Sequence, residues 1–314
     1  MDKYCLCCGK PLLEEGIWHK KCLRSFFGMD SLPRIDFNEN ELQKLAIEQI
    51  ENKKAIAGVQ EKLSLHLEVD PKKRPRLTIF GLPSGYILKP QSSTYKQLPE
   101  FEWTAMLLAD LCDIPTVPHA LIPINDNNEL AYITKRIDRK NGKKVHMEDF
   151  AQASGVSTIN KYRSNYEECA HLIEKYSSKP FLDKAKFFKC LYFCFVIGNS
   201  DVHLKNFSFI MDENGNLSLA PFYDLLPTKV ILPTDHEDLG MLMNGRKTNL
   251  HKHDFDKFCD SIGIGKANQR LIIKSIDNLE EQMEEIINRS SLHQNAKTTW
   301  IKMIKANIKR AKQP

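Results

Sequence analysis

Near its midpoint the chain changes its spacing of apolar residues. In the first half, short runs alternate between apolar and polar positions. In EKLSLHLE, Leu63, Leu65 and Leu67 share one side of a two-residue period. Successive strand side chains point to opposite faces, so this run predicts a half-buried strand. LTIF and GYILKP predict further short strands divided by the turn GLPSG, and IPTVPHALIPI and ELAYITKRID a strand pair around INDNN. DPKKRPR and residues 91–99 read as loops, and helical spacing runs from about Phe101 to Asp110. Leu42, Leu45, Ile47 and Ile50 predict a helix within residues 31–55.

Beyond Asn141 the spacing turns helical, over residues 147–153, 164–176, 183–197, 251–262, 267–289 and 297–312. A short strand pair around Asn206–Leu219, with the turn DENGN, interrupts it. Strands followed by helices predict an α+β fold of two lobes with a cleft between them. The expected divisions are a cysteine-bearing head at 1–30, a β-rich N-terminal lobe at 31–140 and a helical C-terminal lobe at 141–314.

With 314 residues, 42% of them hydrophobic, the chain can bury a large core in one or two domains. A net charge of +5 permits a phosphate-rich ligand or an acidic partner and demands neither. The longest apolar stretch, Cys190–Ile197, is too short to span a bilayer, and MDKYCLCCGK does not read as a signal peptide. A cytoplasmic protein with no membrane partner is expected.

Four of the nine cysteines, Cys5, Cys7, Cys8 and Cys22, lie in the head. The others sit mostly in apolar runs and read as reduced thiols. Cys5 and Cys8 are spaced C-x2-C, and His19 and Cys22 H-x2-C. Three sulfurs and one imidazole are a tetrahedral set typical of structural Zn2+. The other reading is a reduced cluster without metal, and Cys7 is a spare thiol or an alternative ligand. Near the C-terminus, Trp300, Ile301, Ile304 and Ile308 recur at helical spacing among lysines. This helix either packs on the second lobe with a solvated basic face or meets a membrane surface or a partner.

The central segment carries the chemistry. Asp201, His203, Lys205 and Asn206 follow an apolar helix that ends at Gly198, and Asp224 follows the predicted hairpin. Two carboxylates and an amide suit metal-assisted phosphoryl transfer. One Asp orients or deprotonates the attacking hydroxyl, while Asn and the second Asp hold Mg2+. The plainer reading is a loop whose Asx residues cap and turn it.

GNSDVHLKNFSF and the APFYD that follows resemble the catalytic and metal-binding motifs of HipA-family kinases. AGVQEKLSL at 57–65, YILKP at 86–90, EWTAMLLA at 102–109, KRIDR at 135–139 and VHMEDFAQASG at 145–155 are similar to that family in the same order. The resemblance implies a bilobal protein-kinase-like fold that phosphorylates Ser or Thr with ATP and Mg2+. It further implies a toxin of a toxin–antitoxin system whose protein substrate is a translation component such as an aminoacyl-tRNA synthetase. A DNA-binding antitoxin is then the expected partner, with no direct DNA contact required of the kinase. Action in the cytoplasm fits both a toxin of the same cell and one delivered to a host.

Carried over, Asp201 is the catalytic base or orienting carboxylate, with His203 and Lys205 near the transferred phosphoryl. Asn206 and Asp224 are Mg2+ ligands. Lys89 contacts ATP phosphates and pairs with Glu102, while Arg136 and Asp138 lie at the lobe boundary. Ala57, Gly58, Val59 and Gln60 belong to a segment resembling the family's phosphate-covering loop, which is not a Walker A loop. The family's loop carries a regulatory serine where this chain has Ala55 and Ala57 flanking Ile56. The brake is absent, the residues were changed deliberately, or another hydroxyl serves. The short segment before Ala55 resembles three-component systems, in which a separate small protein supplies an N-terminal subdomain. Two other functions fit the same residues: a small-molecule kinase, or a pseudokinase that binds and regulates a DNA-binding antitoxin.

Overall fold

The computed structural model describes residues 3–35, 62–70, 72–78, 84–124, 129–140 and 142–313. The predicted helix within 31–55 lies mostly outside these residues, as does the loop bearing Ala57, Gly58, Val59 and Gln60. The fold is α+β, in two compact units. The first comprises Met1–Leu107, Val117–Lys144 and Arg289–Ser291, and the second Leu108–Thr116, Val145–Asn288 and Leu292–Pro314.

In chain order the first unit holds α1 (Lys20–Phe27), β1 (Arg34–Ile35), β2 (Leu63–Glu68), β3 (Arg76–Thr78), β4 (Tyr86–Lys89), α2 (Leu98–Leu111, whose last turn belongs to the second unit), β5 (His119–Pro123), β6 (Leu130–Lys135), β7 (Arg139–Lys140) and β8 (Lys143–Lys144). Six strands form one sheet in the order β1-β3-β2-β4-β6-β5. Among the described residues of this sheet, only the β1–β3 pair is parallel. The register sets Leu63 opposite Leu88 and Leu88 opposite Ile133, and all three are fully buried. They share a core with Trp18, Leu23, Phe26 and Phe27 of the head. Each such side chain removed from water contributes ~1.5–3 kcal/mol, so head and sheet stabilise each other. Helix α2 starts earlier than the spacing predicts, because Pro99 falls in its first turn, where a missing N–H breaks no helical bond.

The second unit continues with β9 (Met147–Asp149), α3 (Phe150–Ala153), α4 (Tyr166–Tyr176), α5 (Pro180–Ile197), β10 (Ser208–Met211), β11 (Leu217–Leu219), α6 (Thr228–Ile231), α7 (Lys252–Ser261), α8 (Lys266–Asp277), α9 (Glu280–Arg289) and α10 (Gln294–Ala311). Residues 147–153 are not one helix. Met147 and Asp149 pair with Ile210 and Ser208 of β10, and the helix begins only after Asp149. There the Asp149 carboxylate accepts from Gln152 N at 2.9 Å and the Gln152 side chain accepts from Asp149 N at 3.0 Å, a reciprocal cap. Residues 267–289 form two helices, because a break at Asn278 and Leu279 leaves the apolar spacing on either side intact.

Helix α5 is apolar nearly all round and is the buried centre of this unit. Helix α10 packs on it: Trp300 donates to Ile197 O at 2.9 Å, and Asn307 to Phe195 O at 2.9 Å. The apolar stripe of the basic tail is therefore spent on α5. Arg310 of the same helix makes two bonds to buried Asp238, at 2.9 and 2.8 Å. Burial alone would raise the Asp238 pKa, but Arg310, the Leu250 N–H and Lys229 hold it below the ordinary value. Among the described residues, no helix is long and apolar enough to cross a membrane.

Candidate active site

The chain leaves α5 through Gly198, whose φ of 78° lies in the left-handed region open to glycine. The next residues are tied from several sides. Ser200 N donates to Thr228 Oγ1 at 2.7 Å, and the Ser200 hydroxyl donates to Asp235. Tyr166, fully buried on α4, donates to Val202 O at 2.9 Å and accepts from Met241 N at 3.2 Å. Gly240 lies so close that an added Cβ would stand 2.6 Å from Val202 O and 2.8 Å from Ser200 O. Both are backbone atoms, so a larger residue at 240 must move the segment that carries Asp201.

Asp201 keeps an exposed edge and accepts a hydrogen bond from the Tyr162 hydroxyl. Its pKa is raised, first by loss of water around the carboxyl and then by the like charges of Asp224 and Asp235. Tyr162 and Lys161 work in the opposite direction and offset only part of this. His203 is buried, and the Tyr162 ring meets it edge-on at 5.0 Å between centroids. Desolvation, followed by the positive charge of Lys161, lowers its pKa to about 4, so it is neutral at pH 7. Its Nδ1 is buried without a hydrogen-bond partner.

Asn206 closes a 3-10 turn (Leu204–Asn206). Its Oδ1 accepts from His203 N at 2.9 Å, and its Nδ2 donates to Asp224 Oδ2 at 3.3 Å. An amide oxygen has two lone pairs, so one remains for a cation. Asp224 has φ 63°, a conformation few residues other than glycine adopt, though Asp tolerates it. Neighbouring bonds hold it there. The Tyr223 hydroxyl is 2.6 Å from Ser208 Oγ and donates to Lys205 O at 3.0 Å, and Phe222 N donates to Pro115 O at 2.7 Å. The structure thus brings Asp201, Asn206 and Asp224 into one group. Lys205 turns elsewhere. Its Nζ donates to Asp149 Oδ2 at 2.9 Å, tying the turn to β9.

In the first unit, β4 ends at Lys89, in register with Tyr132 of β6. Lys89 Nζ donates to Glu102 Oε1 at 2.7 Å, with the two side chains 10% and 1% exposed. The ammonium also lies 5.5 Å from the centroid of the Tyr132 ring. Arg136 binds Asp138 through two nitrogens at 2.9 and 2.7 Å, within the turn between β6 and β7. Burial would raise the Asp138 pKa, and Arg136 and Arg139 together outweigh it and hold it low. In the head, Cys5, Cys8, His19 and Cys22 converge, their ligand atoms all within 4.8 Å of one another.

Tyr162, Lys161, Asp235, Tyr166 and Gly240 were not legible as site residues in the sequence. They are distant from the GNSDVHLKN string or lie in a loop without periodicity, and only folding brings them to Asp201.

Oxygen donors of Asn206 and Asp224 beside the desolvated Asp201 carboxylate make a set suited to a hard divalent cation. The α+β fold is protein-kinase-like. The model of the HipA-like C-terminal domain family matches residues 54–294, and this chain belongs to that family. The chain is 31% identical over 247 residues to a Sinorhizobium fredii protein named "Putative kinase Y4mE", a match covering 75% of this chain and 56% of that one. A second protein of that organism, "Putative kinase Y4dM", is 30% identical over 74% of this chain and 58% of its own. The matches thus span just over half the length of these two relatives. A Haemophilus influenzae protein named "Putative kinase" is 27% identical, with 76% of each chain covered. Among solved structures, HipA in the Shewanella oneidensis complex of HipA, HipB and operator DNA superposes with a TM-score of 0.64 at 20% identity, over 85% of this chain and 70% of that one. The Helicobacter pylori proinflammatory kinase CtkA superposes with a TM-score of 0.54 at 15% identity, over 78% and 93%.

Proposed function

We propose that this chain is a serine/threonine protein kinase using ATP and Mg2+, the toxin of a toxin–antitoxin system acting on a translation component such as an aminoacyl-tRNA synthetase. The observation that carries the reading is the grouping of Asp201, Asn206 and Asp224 on a segment fixed by Tyr166, Thr228 and Gly240. Asp201 orients the substrate hydroxyl and accepts its proton as the new P–O bond forms and the bond to the ADP leaving group breaks. Asn206 and Asp224 hold Mg2+, which when bound neutralises charge on the phosphates. Lys89, kept straight by Glu102, contacts the phosphates as a fixed cation. His203 and Lys205 hold the segment in place, the one neutral and buried, the other bound to Asp149.

Membership of the family and relatives named as kinases support phosphoryl transfer. The complex of the Shewanella HipA with HipB and operator DNA supports a DNA-binding antitoxin as partner. A separate small protein supplying an N-terminal subdomain is a second partner of this reading, and the site of action is the cytoplasm.

The test is incubation with γ-labelled ATP, Mg2+ and bacterial lysate, with Asp201→Ala as control. A discrete labelled protein in the mass range of an aminoacyl-tRNA synthetase, absent with the control, is expected. Labelling of small molecules alone would overturn the protein-substrate reading, and no label on anything would overturn the kinase.

A further inference from the structure

The proposed phosphoryl transfer uses no residue of the cysteine head, yet the head's geometry is organised. His19 Nδ1 lies 3.4 Å from Cys8 Sγ and 3.9 Å from Cys22 Sγ. On the other side of the ring, Nε2 is 2.9 Å from the Pro11 carbonyl. A carbonyl can only accept, so Nε2 carries the proton and the Nδ1 lone pair faces the sulfurs. A carbonyl that fixes the tautomer and aim of the ring is the outer-shell arrangement of metal-binding histidines. The backbone supplies the rest. Cys5 N donates to Lys10 O at 2.9 Å and Gly9 N to Cys5 O at 2.8 Å, a tight turn closed by Gly9 at φ 64°. Helix α1 starts directly after His19, so His19 and Cys22 share one turn, with Cys22 N donating to His19 O at 2.9 Å.

We infer that Cys5, Cys8, His19 and Cys22 form a closed structural Zn2+ site, and that the metal steadies the frame of the first unit that sets Lys89 against Glu102. Tetrahedral zinc with sulfur at ~2.3 Å and nitrogen at ~2.0 Å needs ligands about 3.5–3.8 Å apart. The four groups, all within 4.8 Å, reach this by contracting about 1 Å or less. Four protein ligands leave no position for a reacting water, so the site is structural. Thiol protons are released to solvent as the metal binds.

The coupling follows from what the intervening residues hold. Leu6 O accepts from Leu121 N at 2.8 Å, and Trp18 donates to Leu121 O at 3.0 Å, both on β5. Cys7 O accepts from Trp103 Nε1 at 3.3 Å, the residue after Glu102 on α2. A Cβ at Gly9 would stand 2.6 Å from Leu107 of the same helix. The turn between the ligands therefore grips both the helix that carries Glu102 and the sheet that carries Lys89. A segment this short cannot bury enough to fold alone, so the free energy of metal binding becomes free energy of folding.

The test uses the full chain purified without added metal. Elemental analysis is expected to give one zinc per chain, and cobalt put in its place should show the visible absorption of tetrahedral thiolate coordination. Cys8→Ser and His19→Ala should each lose the metal, while Cys7→Ser and His19→Cys keep it. Removing zinc should lower the melting midpoint by about 5–10 °C. No zinc bound or taken up, or full zinc in both Cys8→Ser and His19→Ala, would overturn the site. Zinc bound with an unchanged melting midpoint would overturn its structural part. The link to Lys89 rests on the kinase reading only where activity is measured: one zinc per chain with no phosphoryl transfer leaves the site standing and sinks the kinase.

Discussion

Lys89 and Glu102 meet at 2.7 Å with one charge of each sign in one small buried volume. The pKa of Asp201, on the other hand, is raised, first by loss of water around its carboxyl and only then by the like charges of Asp224 and Asp235, with the Tyr162 hydroxyl and Lys161 offsetting part of this. The first arrangement is close to balance within the chain. The second is held off balance by folded structure around it, at a residue whose neighbour Asp224 also sits at a φ of 63°. Strain and unbalanced charge persist only where surrounding packing imposes them, and such places are candidates for chemistry. The contrast teaches that a balanced buried pair builds a rigid element, whereas a desolvated carboxylate beside a strained backbone marks a candidate for chemistry.

The largest expected effect follows from breaking the unbalanced group. Asp224→Ala and Asp201→Ala should each lower phosphoryl transfer by about 10²–10⁴-fold, with the melting midpoint of Asp201→Ala unchanged or higher because a desolvated carboxylate is removed. A folded Asp224→Ala protein of full activity would contradict the roles assigned to both residues. The balanced pair should respond in stability instead. Lys89→Met leaves a buried carboxylate without its lysine and should cost about 3–5 kcal/mol in denaturant unfolding. The Lys89→Met/Glu102→Leu double variant should regain most of that while remaining inactive. If Lys89→Met were as stable as the parent chain, the pair would not be the structural element described.

A smaller effect concerns the tuning of Asp201. Tyr162→Phe removes a hydrogen bond that favours the ionised carboxylate. The Asp201 pKa should then rise further, so the acidic limb of the activity profile moves to higher pH, by about one unit or less. An unmoved limb would show that Tyr162 does not tune this group. The last effect concerns His203, with a folded pKa of about 4 against an ordinary 6.5. Between these values the unfolded chain binds the proton and the folded chain does not. The stability His203 contributes is thus complete above pH 6.5 and is lost as pH falls from there towards 4. Melting curves across that window without added Mg2+, compared with those of His203→Asn, should show a shallower decline in the variant.

Much of the candidate site was legible as sequence because it is local. Asp201, His203, Lys205 and Asn206 lie within six consecutive positions after an apolar helix, and Asp224 follows one hairpin later. The strands around Leu63–Glu68 and Leu130–Lys135 were legible for the same reason, since a period of two is a property of neighbours in the chain. Periodicity misled at Met147–Asp149, where pairing with β10 overrode a weak helical spacing, and at Asn278, where a short break does not disturb the pattern.

By itself the sequence determined the α+β alternation, the order of the motifs, the cysteine and histidine spacing of the head and the polar set of the central segment. All of these depend on distances of a few residues. Only the tertiary structure decided that Tyr162 bonds Asp201, that Lys205 serves Asp149, that Gly240 leaves room for the loop at Val202 and that Trp103 grasps the head beside Cys7. These contacts join residues from 38 to 96 positions apart. No periodicity encodes them: they exist because packing the apolar faces within each unit carries buried polar groups to partners distant in the chain, where their hydrogen bonds are satisfied.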